Sequence, residues 1–336
     1  MKTRITIGVS LIVVVLAMAN LFVSHAQQAA GATTQLTGNG APPLSNPLKV
    51  ALLKWYAANR VPTQFAVGQQ PYGLAFDGAN IWAANFADNT VSKVQASDGA
   101  VLGTFPAGGF EPYGVTFDGA NVWVSNLDSG NVSKLRASDG KLLGTFPVPS
   151  SPPGWMAFDG ANIWVPNGSS LVTKLRADDG KNMGNFNAGV NPIAAAFDGA
   201  NVWVVDGGGI GTGTVTKLRA SDGTVLGTFP VGLTPLGIAF DGDSVWVTNG
   251  TSGTVSKLRA SDGTLLGTFN VTTAPYGIAF DGEHIWVTGA NNVVELRASD
   301  GTQIGVFRSA AASIGIAFDG TNVWVSLLKF NAVGKL

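Results

Sequence analysis

From about residue 62 onward, apolar residues come in short runs of four to six, many alternating with small or polar ones, and each run ends in Gly, Asp, Asn or Ser. That is the period of half-buried strands joined by tight turns, not of helices. One run repeats. Phe-Asp-Gly, two variable residues, Ile or Val, then Trp begins at Phe76, Phe117, Phe158, Phe197, Phe240, Phe280 and Phe318. The seven tryptophans, Trp82, Trp123, Trp164, Trp203, Trp246, Trp286 and Trp324, are spaced 41, 41, 39, 43, 40 and 38 residues apart. A period near 40 means one supersecondary unit copied along the chain.

The second copy shows the unit. Tyr113-Gly114-Val115-Thr116-Phe117 reads as a first strand, Asp118-Gly119 as a hairpin turn, and Val122-Trp123-Val124-Ser125 as a second strand. Val132-Ser133-Lys134-Leu135-Arg136 is a third strand, Ser138-Asp139-Gly140 turns the chain, and Leu142-Leu143-Gly144-Thr145-Phe146 is a fourth. Four antiparallel strands per unit in seven units predict an all-β fold, a seven-bladed β-propeller over residues 61–336. The last unit stops within its third strand at Ala332-Val333-Gly334-Lys335-Leu336, while an orphan fourth-strand piece, Thr63-Gln64-Phe65-Ala66-Val67, precedes the first. Pairing the two would close the ring with an N-terminal outer strand on the last blade and remove a free edge. The tryptophans are expected between neighbouring blades. In the first strand, Gly73 and Ala75 alternate with Leu74 and Phe76, small on one face and filling the wedge between blades on the other.

Upstream of the repeats the pattern changes. Lys2 and Arg4 precede an apolar run to about Val23, and Ser24-His25-Ala26 supplies small residues, so residues 1–26 read as a signal peptide. The expected location is periplasmic or extracellular, with a membrane anchor as the alternative if the signal stays uncleaved and no stable membrane insertion after cleavage. Residues 27–47 read as a flexible linker, and residues 48–60 as a short helix with Leu48, Leu52 and Trp55 on one side.

Composition narrows the chemistry. Without its first 26 residues the chain has 18 basic and 21 acidic residues, net −3, and no Lys/Arg-rich segment, so no nucleic-acid footprint is present. There is no cysteine, and His284 is the one histidine outside the signal peptide. A His/Cys zinc site and a Ser-His-Asp triad are not expected. The aspartates repeat with the turns and read as turn chemistry.

Two groups of residues are candidates for a site. The residues three after each Trp form a ring, Asn85, Asn126, Asn167, Asp206 and Asn249, broken by Gly289 and Leu327. They read as turn-initiating side chains or, alternatively, as oxygen ligands for calcium or magnesium at the channel mouth. Near the starts of the first strands lie Tyr72, Tyr113, Tyr276, Phe110, Glu111 and Trp155, the last replacing a recurrent Gly and expected to intrude on the channel. Exposed aromatics at a concave mouth suit a protein, peptide or carbohydrate partner. The glycine-rich stretch 206–213 precedes a strand rather than a helix, so it reads as an insertion and not a phosphate cradle.

Pro275-Tyr276-Gly277-Ile278-Ala279-Phe280-Asp281-Gly282, Ile285-Trp286-Val287-Thr288 and Gly253-Thr254-Val255-Ser256-Lys257-Leu258 resemble YVTN/NHL-type bacterial propellers. The chain is also similar to the virginiamycin B lyase family over about residues 62–336. That resemblance implies a seven-bladed propeller and, in the family, a magnesium-dependent elimination served by histidines and glutamates near the mouth. Those side chains do not carry over. The family's histidines fall on Tyr276 and Ile314, and its glutamates on Ala312 and Leu327. The expected function is therefore an exported, non-catalytic binding scaffold, acting as a monomer; the alternative is a metal-dependent hydrolase or lyase of the lactonase-like propeller type.

Overall fold

The repeated Asp-Gly turn explains how each unit folds. Asp77 Oδ1 accepts from the backbone N–H groups of Ala79 (2.9 Å) and Asn80 (2.7 Å), which closes the turn. Gly78 sits in it at φ +98°, a conformation that a side chain would oppose. The other carboxylate oxygen, Asp77 Oδ2, accepts from the indole Nε1–H of Trp82 at 2.7 Å. The same indole–carboxylate bond recurs in all seven units, at Asp118, Asp159, Asp198, Asp241, Asp281 and Asp319. The aspartate thus sets the turn and satisfies the one polar group of a large buried ring.

A computed structural model describes residues 62–149, 153–207, 212–271, 274–309 and 311–336. The expected signal peptide, linker and short helix (1–26, 27–47 and 48–60) lie outside the described residues, as does the centre of the glycine-rich stretch. The described chain forms seven four-stranded antiparallel sheets. In blade 2 the strands are Pro112–Phe117, Asn121–Asn126, Asn131–Arg136 and Leu142–Pro147, within a residue of the sequence reading. Blades 1 to 6 follow chain order from axis to rim. Blade 7 does not: Ile316–Phe318, Val323–Leu327 and Ala332–Lys335 are completed by Thr63–Ala66. Thr63 pairs with Lys335 and Ala66 with Ala332, antiparallel. Phe65 lies 5.5 Å from Trp324, as Phe105 lies 5.7 Å from Trp82 in blade 1, so the N-terminal strand supplies the missing phenylalanine in register.

The core sits between blades. Trp82 packs with Val115, Val122 and Leu135 of blade 2, and Trp324 of blade 7 packs with Leu74, Ile81 and Val94 of blade 1, which closes the ring hydrophobically as well. Six of the seven tryptophans are fully buried; Trp286 is only partly so. The inner-strand glycines have a steric reason beyond small size. A Cβ on Gly315 would run into the Tyr72 carbonyl of blade 1, and one on Gly73 into that of Tyr113. The inner strands touch backbone to backbone around the axis.

A second inter-blade device was not visible from spacing alone. Lys217, facing Trp203, holds Nζ 5.1 Å over the indole ring and donates to the Ala260 (2.6 Å) and Ser261 (3.2 Å) carbonyls in the third turn of blade 5. Lys93, Lys134, Lys174, Lys257 and Lys335 repeat both contacts.

Candidate functional site

The loops that run from the fourth strand of one blade to the first of the next, with those joining second and third strands, surround one mouth of the channel. They are anchored from below by the ring of Asx residues. Asp206 accepts from the Val190 (2.9 Å) and Asn191 (2.8 Å) N–H groups, and Asn249 accepts from Gly232 N–H at 3.0 Å. Asn85 donates its amide to Thr90 and Ser92, Asn126 to Asn131 and Ser133, and Asn167 to Thr173. Gly68, Gly109, Gly189 and Gly232 lie so close over these side chains that a Cβ would collide with them. Each of the five candidate cation ligands is buried within its own blade. The Oδ1 atoms of Asn85, Asn126 and Asn167 have no hydrogen-bond partner among the described residues. Among the described residues no group of three His, Cys, Asp or Glu is arranged to hold a metal ion.

Above this ring the aromatic candidates separate into three places. Tyr72 lies 5.3 Å from Tyr113, and Tyr113 lies 4.6 Å from Trp155, ring centre to ring centre. Phe86 extends the row, 4.8 Å from Tyr72. Phe86, Tyr72, Tyr113 and Trp155 therefore form one tilted ladder across blades 1, 2 and 3. Phe110 and Glu111 line a groove of about 360 Å³ between blades 1 and 2, shared with Gln70, Phe86, Asn89 and Asp128. Phe110 is 61% exposed, the largest free aromatic surface at this mouth. Tyr276, on blade 6, has no ring contact with the ladder among the described residues, but an ionised Tyr276 would oppose ionisation of Tyr72 and Tyr113.

Local geometry fixes these side chains. Glu111 stands at φ +55° just before Pro112, a combination that is sterically costly, and its N–H is held by Asn89 Oδ1 at 2.8 Å. Trp155 lies just before the short inner strand of blade 3, Ala157–Phe158, and bridges to Ala194 of the next blade, its N–H donating to the Ile193 carbonyl at 2.9 Å. The preceding Gly154 takes over the close backbone approach made elsewhere by the glycine that Trp155 replaces. The Trp155 side chain lines the channel, an apolar cavity of about 130 Å³ walled also by Leu74, Ile238, Ile278 and Ile316.

At this mouth two phenols of the ladder are shifted from their ordinary values. Burial, then the charges of Tyr276 and Glu111, pushes the Tyr72 phenol up; burial, then Tyr72 and Tyr276, pushes up Tyr113. Both stay protonated over the ordinary pH range and act as hydrogen-bond donors beside aromatic faces. Of the four positions on which the lyase family's histidines and glutamates fall, Ile314 and Leu327 are buried, Tyr276 is half-buried and Ala312 is exposed.

Phe86 was missing from the candidates read from sequence. Its signal was a break in symmetry, since the residue four after Trp is Leu127, Gly168, Gly207, Gly250, Ala290 or Leu328 in the other units.

Seven four-stranded blades closed by an N-terminal strand define a seven-bladed β-propeller. The fold is similar to a solved structure of hydrazine synthase from Kuenenia stuttgartiensis, at 15% identity and a TM-score of 0.70, covering 83% of this chain and 97% of that one. An identity that low carries the architecture and no more. No protein-family model matches the sequence, and no curated protein matches it.

Proposed function

We propose that this chain is an exported, non-catalytic propeller of the YVTN/NHL type that binds a carbohydrate, a peptide or a partner protein at the loop-bearing mouth. The observation that carries this reading is the ladder Phe86–Tyr72–Tyr113–Trp155 beside the groove of Phe110 and Glu111. Aromatic faces supply contact area with few rotatable bonds to freeze, and Glu111, Asp128 and the two phenols supply polar contacts around them. Export is supported by the basic–apolar–small order of residues 1–26. Glycan and peptide arrays probed with the labelled protein test the reading. Ligands found this way should lose about tenfold or more in affinity to Trp155→Ala or Tyr113→Ala, a size in keeping with losing one aromatic stack. Binding indifferent to both changes would reject this mouth.

The second reading is a calcium- or magnesium-dependent hydrolase or lyase built on Asn85, Asn126, Asn167, Asp206 and Asn249. It draws on the three buried carboxamide oxygens without partners among the described residues. Thermal unfolding with calcium, magnesium or chelator separates the two. A metal-dependent rise that Asp206→Asn removes favours the enzyme; no metal response favours the scaffold.

A further inference from the structure

Four residues that break the repeat meet in one place. Glu111 stands where the other six units have Gln70, Pro152, Asn191, Thr234, Ala274 and Ala312, none of them charged. Asp128, five residues after its blade's Trp, falls where no other unit has an acid. Phe110, two residues before Pro112, is the one aromatic at its place in the repeat, and Phe86 is the one at its own. These residues belong to three different loops. Phe86 is in the turn after the second strand of blade 1, Asp128 is in the same turn of blade 2, and Phe110 and Glu111 are in the connection between the blades. All four nevertheless line the single groove of about 360 Å³ described above.

The backbone of the groove is fixed while its charged ends are left free. Phe110 N–H donates to Ser129 Oγ at 2.7 Å and Glu111 N–H to Asn89 Oδ1 at 2.8 Å, so the connecting loop is tied to the turns on both sides. Leu127 N–H donates to the Glu111 carbonyl at 2.9 Å, which draws the turn bearing Asp128 against Glu111. The Glu111 and Asp128 carboxylates themselves take part in no hydrogen bond or ion pair among the described residues. No Lys, Arg or His lines the groove. Two unpaired carboxylates beside two phenyl rings favour a cation that also has a flat apolar face. An arginine guanidinium has both, is more weakly hydrated than an ammonium, and carries enough N–H groups for two carboxylates. The volume is near the lower end of the range of ligand pockets, about 300–1,000 Å³, which is room for one long side chain rather than a run of sugars.

We propose that this groove receives an arginine side chain from a peptide segment of a partner, with the guanidinium against the Phe110 ring and its N–H groups on the Glu111 and Asp128 carboxylates. The inference rests on the reading of this mouth as a binding face and narrows the occupant to a basic peptide. Phe86 lines the groove and also lies 4.8 Å from Tyr72, so groove and ladder share a wall. Residues flanking the arginine then have the ladder beside them to pack on, while the carboxylates select the charge.

Short randomised peptides with Arg, Lys, citrulline or Glu at a fixed central position, bound to the full chain, test the proposal. Arg peptides should be enriched about tenfold or more over citrulline peptides, which keep the shape and lose the charge, with Lys peptides between them. Glu111→Gln combined with Asp128→Asn should remove the Arg preference at an unchanged thermal midpoint. Glu111→Lys combined with Asp128→Lys should turn the preference toward Glu peptides. Equal enrichment of Arg and citrulline, an Arg preference that survives the neutral pair of substitutions, or no peptide enrichment at all would overturn the proposal. Lys peptides bound as tightly as Arg peptides would overturn the choice of a guanidinium, and amino-sugar glycans bound in place of peptides would overturn the peptide source. Binding that Trp155→Ala abolishes and the neutral pair leaves intact would overturn the arginine groove alone and keep the binding mouth; binding indifferent to all these changes would reject both.

Discussion

Trp203 illustrates the residue scale. Its ring is fully buried between blades 4 and 5, its N–H is bonded to Asp198 at 2.8 Å, and Lys217 covers one face. Trp203→Ala should cost about 3–5 kcal/mol in a chemical denaturation curve. Trp286→Ala should cost clearly less, because that ring is already partly exposed and has no lysine over it. The carboxylates that hold the indoles add a pH dependence. Burial works against their charge, but the indole and turn-amide hydrogen bonds outweigh it and hold Asp77, Asp118, Asp198, Asp281 and Asp319 below the usual carboxylate range. A depressed carboxyl stabilises the fold above its unfolded-state value, about 3.9, and that contribution is lost as pH falls through the lower folded value. The denaturation midpoint should therefore decline below about pH 4, and Asp198→Asn should flatten part of the decline. Glu295 of blade 6, pushed up by burial, gives a small opposing gain on acidification. A midpoint that is level through this acid range would contradict the indole–carboxylate account.

Within and between blades, the elements are joined by two devices of different legibility. The turns and strands follow from Asp-Gly, the alternation and the tryptophan, and could be read residue by residue. The lysine clamp could not, since one Lys per third strand looks like an ordinary solvated position until the fold places the next blade's carbonyls 2.6–2.7 Å from it. Lys217→Met keeps the apolar stem but leaves the Ala260 and Ser261 carbonyls without their charged donor. It should cost about 2–3 kcal/mol, in line with hydrogen bonds to a charged group, measured by the same denaturation curve. A loss below about 0.5 kcal/mol would show the clamp to be a surface ornament of the kind formed by the exposed Arg136–Asp139 pair. The inner strands make the converse point. Gly315→Ala should destabilise more than Gly78→Ala, although Gly78 has the positive φ, because a Cβ at 315 meets the Tyr72 carbonyl and one at 78 meets open space.

For the whole molecule, closure is the decisive event. Thr63–Ala66 is the only strand of its blade from the N-terminal side, and it seals the edge of Ala332–Lys335. A chain beginning at Gly68 should expose that edge and lose its single cooperative transition, seen as a broadened melt and association in gel filtration. Retained cooperativity in that truncation would mean the ring does not depend on its closing strand.

Sequence by itself determined the number of blades, their strand order, the closing strand and the turn chemistry, because each rests on contacts between residues near one another in the chain or on strict repetition. It also named Tyr72 and Tyr113, through a recurring Pro-Tyr pair, and Trp155, which replaces a recurrent Gly. Only the tertiary structure decided that these three share a ladder with Phe86 while Tyr276 stands apart, and that the Asx ring is enclosed within the blades holding down the mouth loops. Which rings meet across a channel, and which carbonyl faces a lysine, are set by distances between blades, and those exist only once the circle has closed.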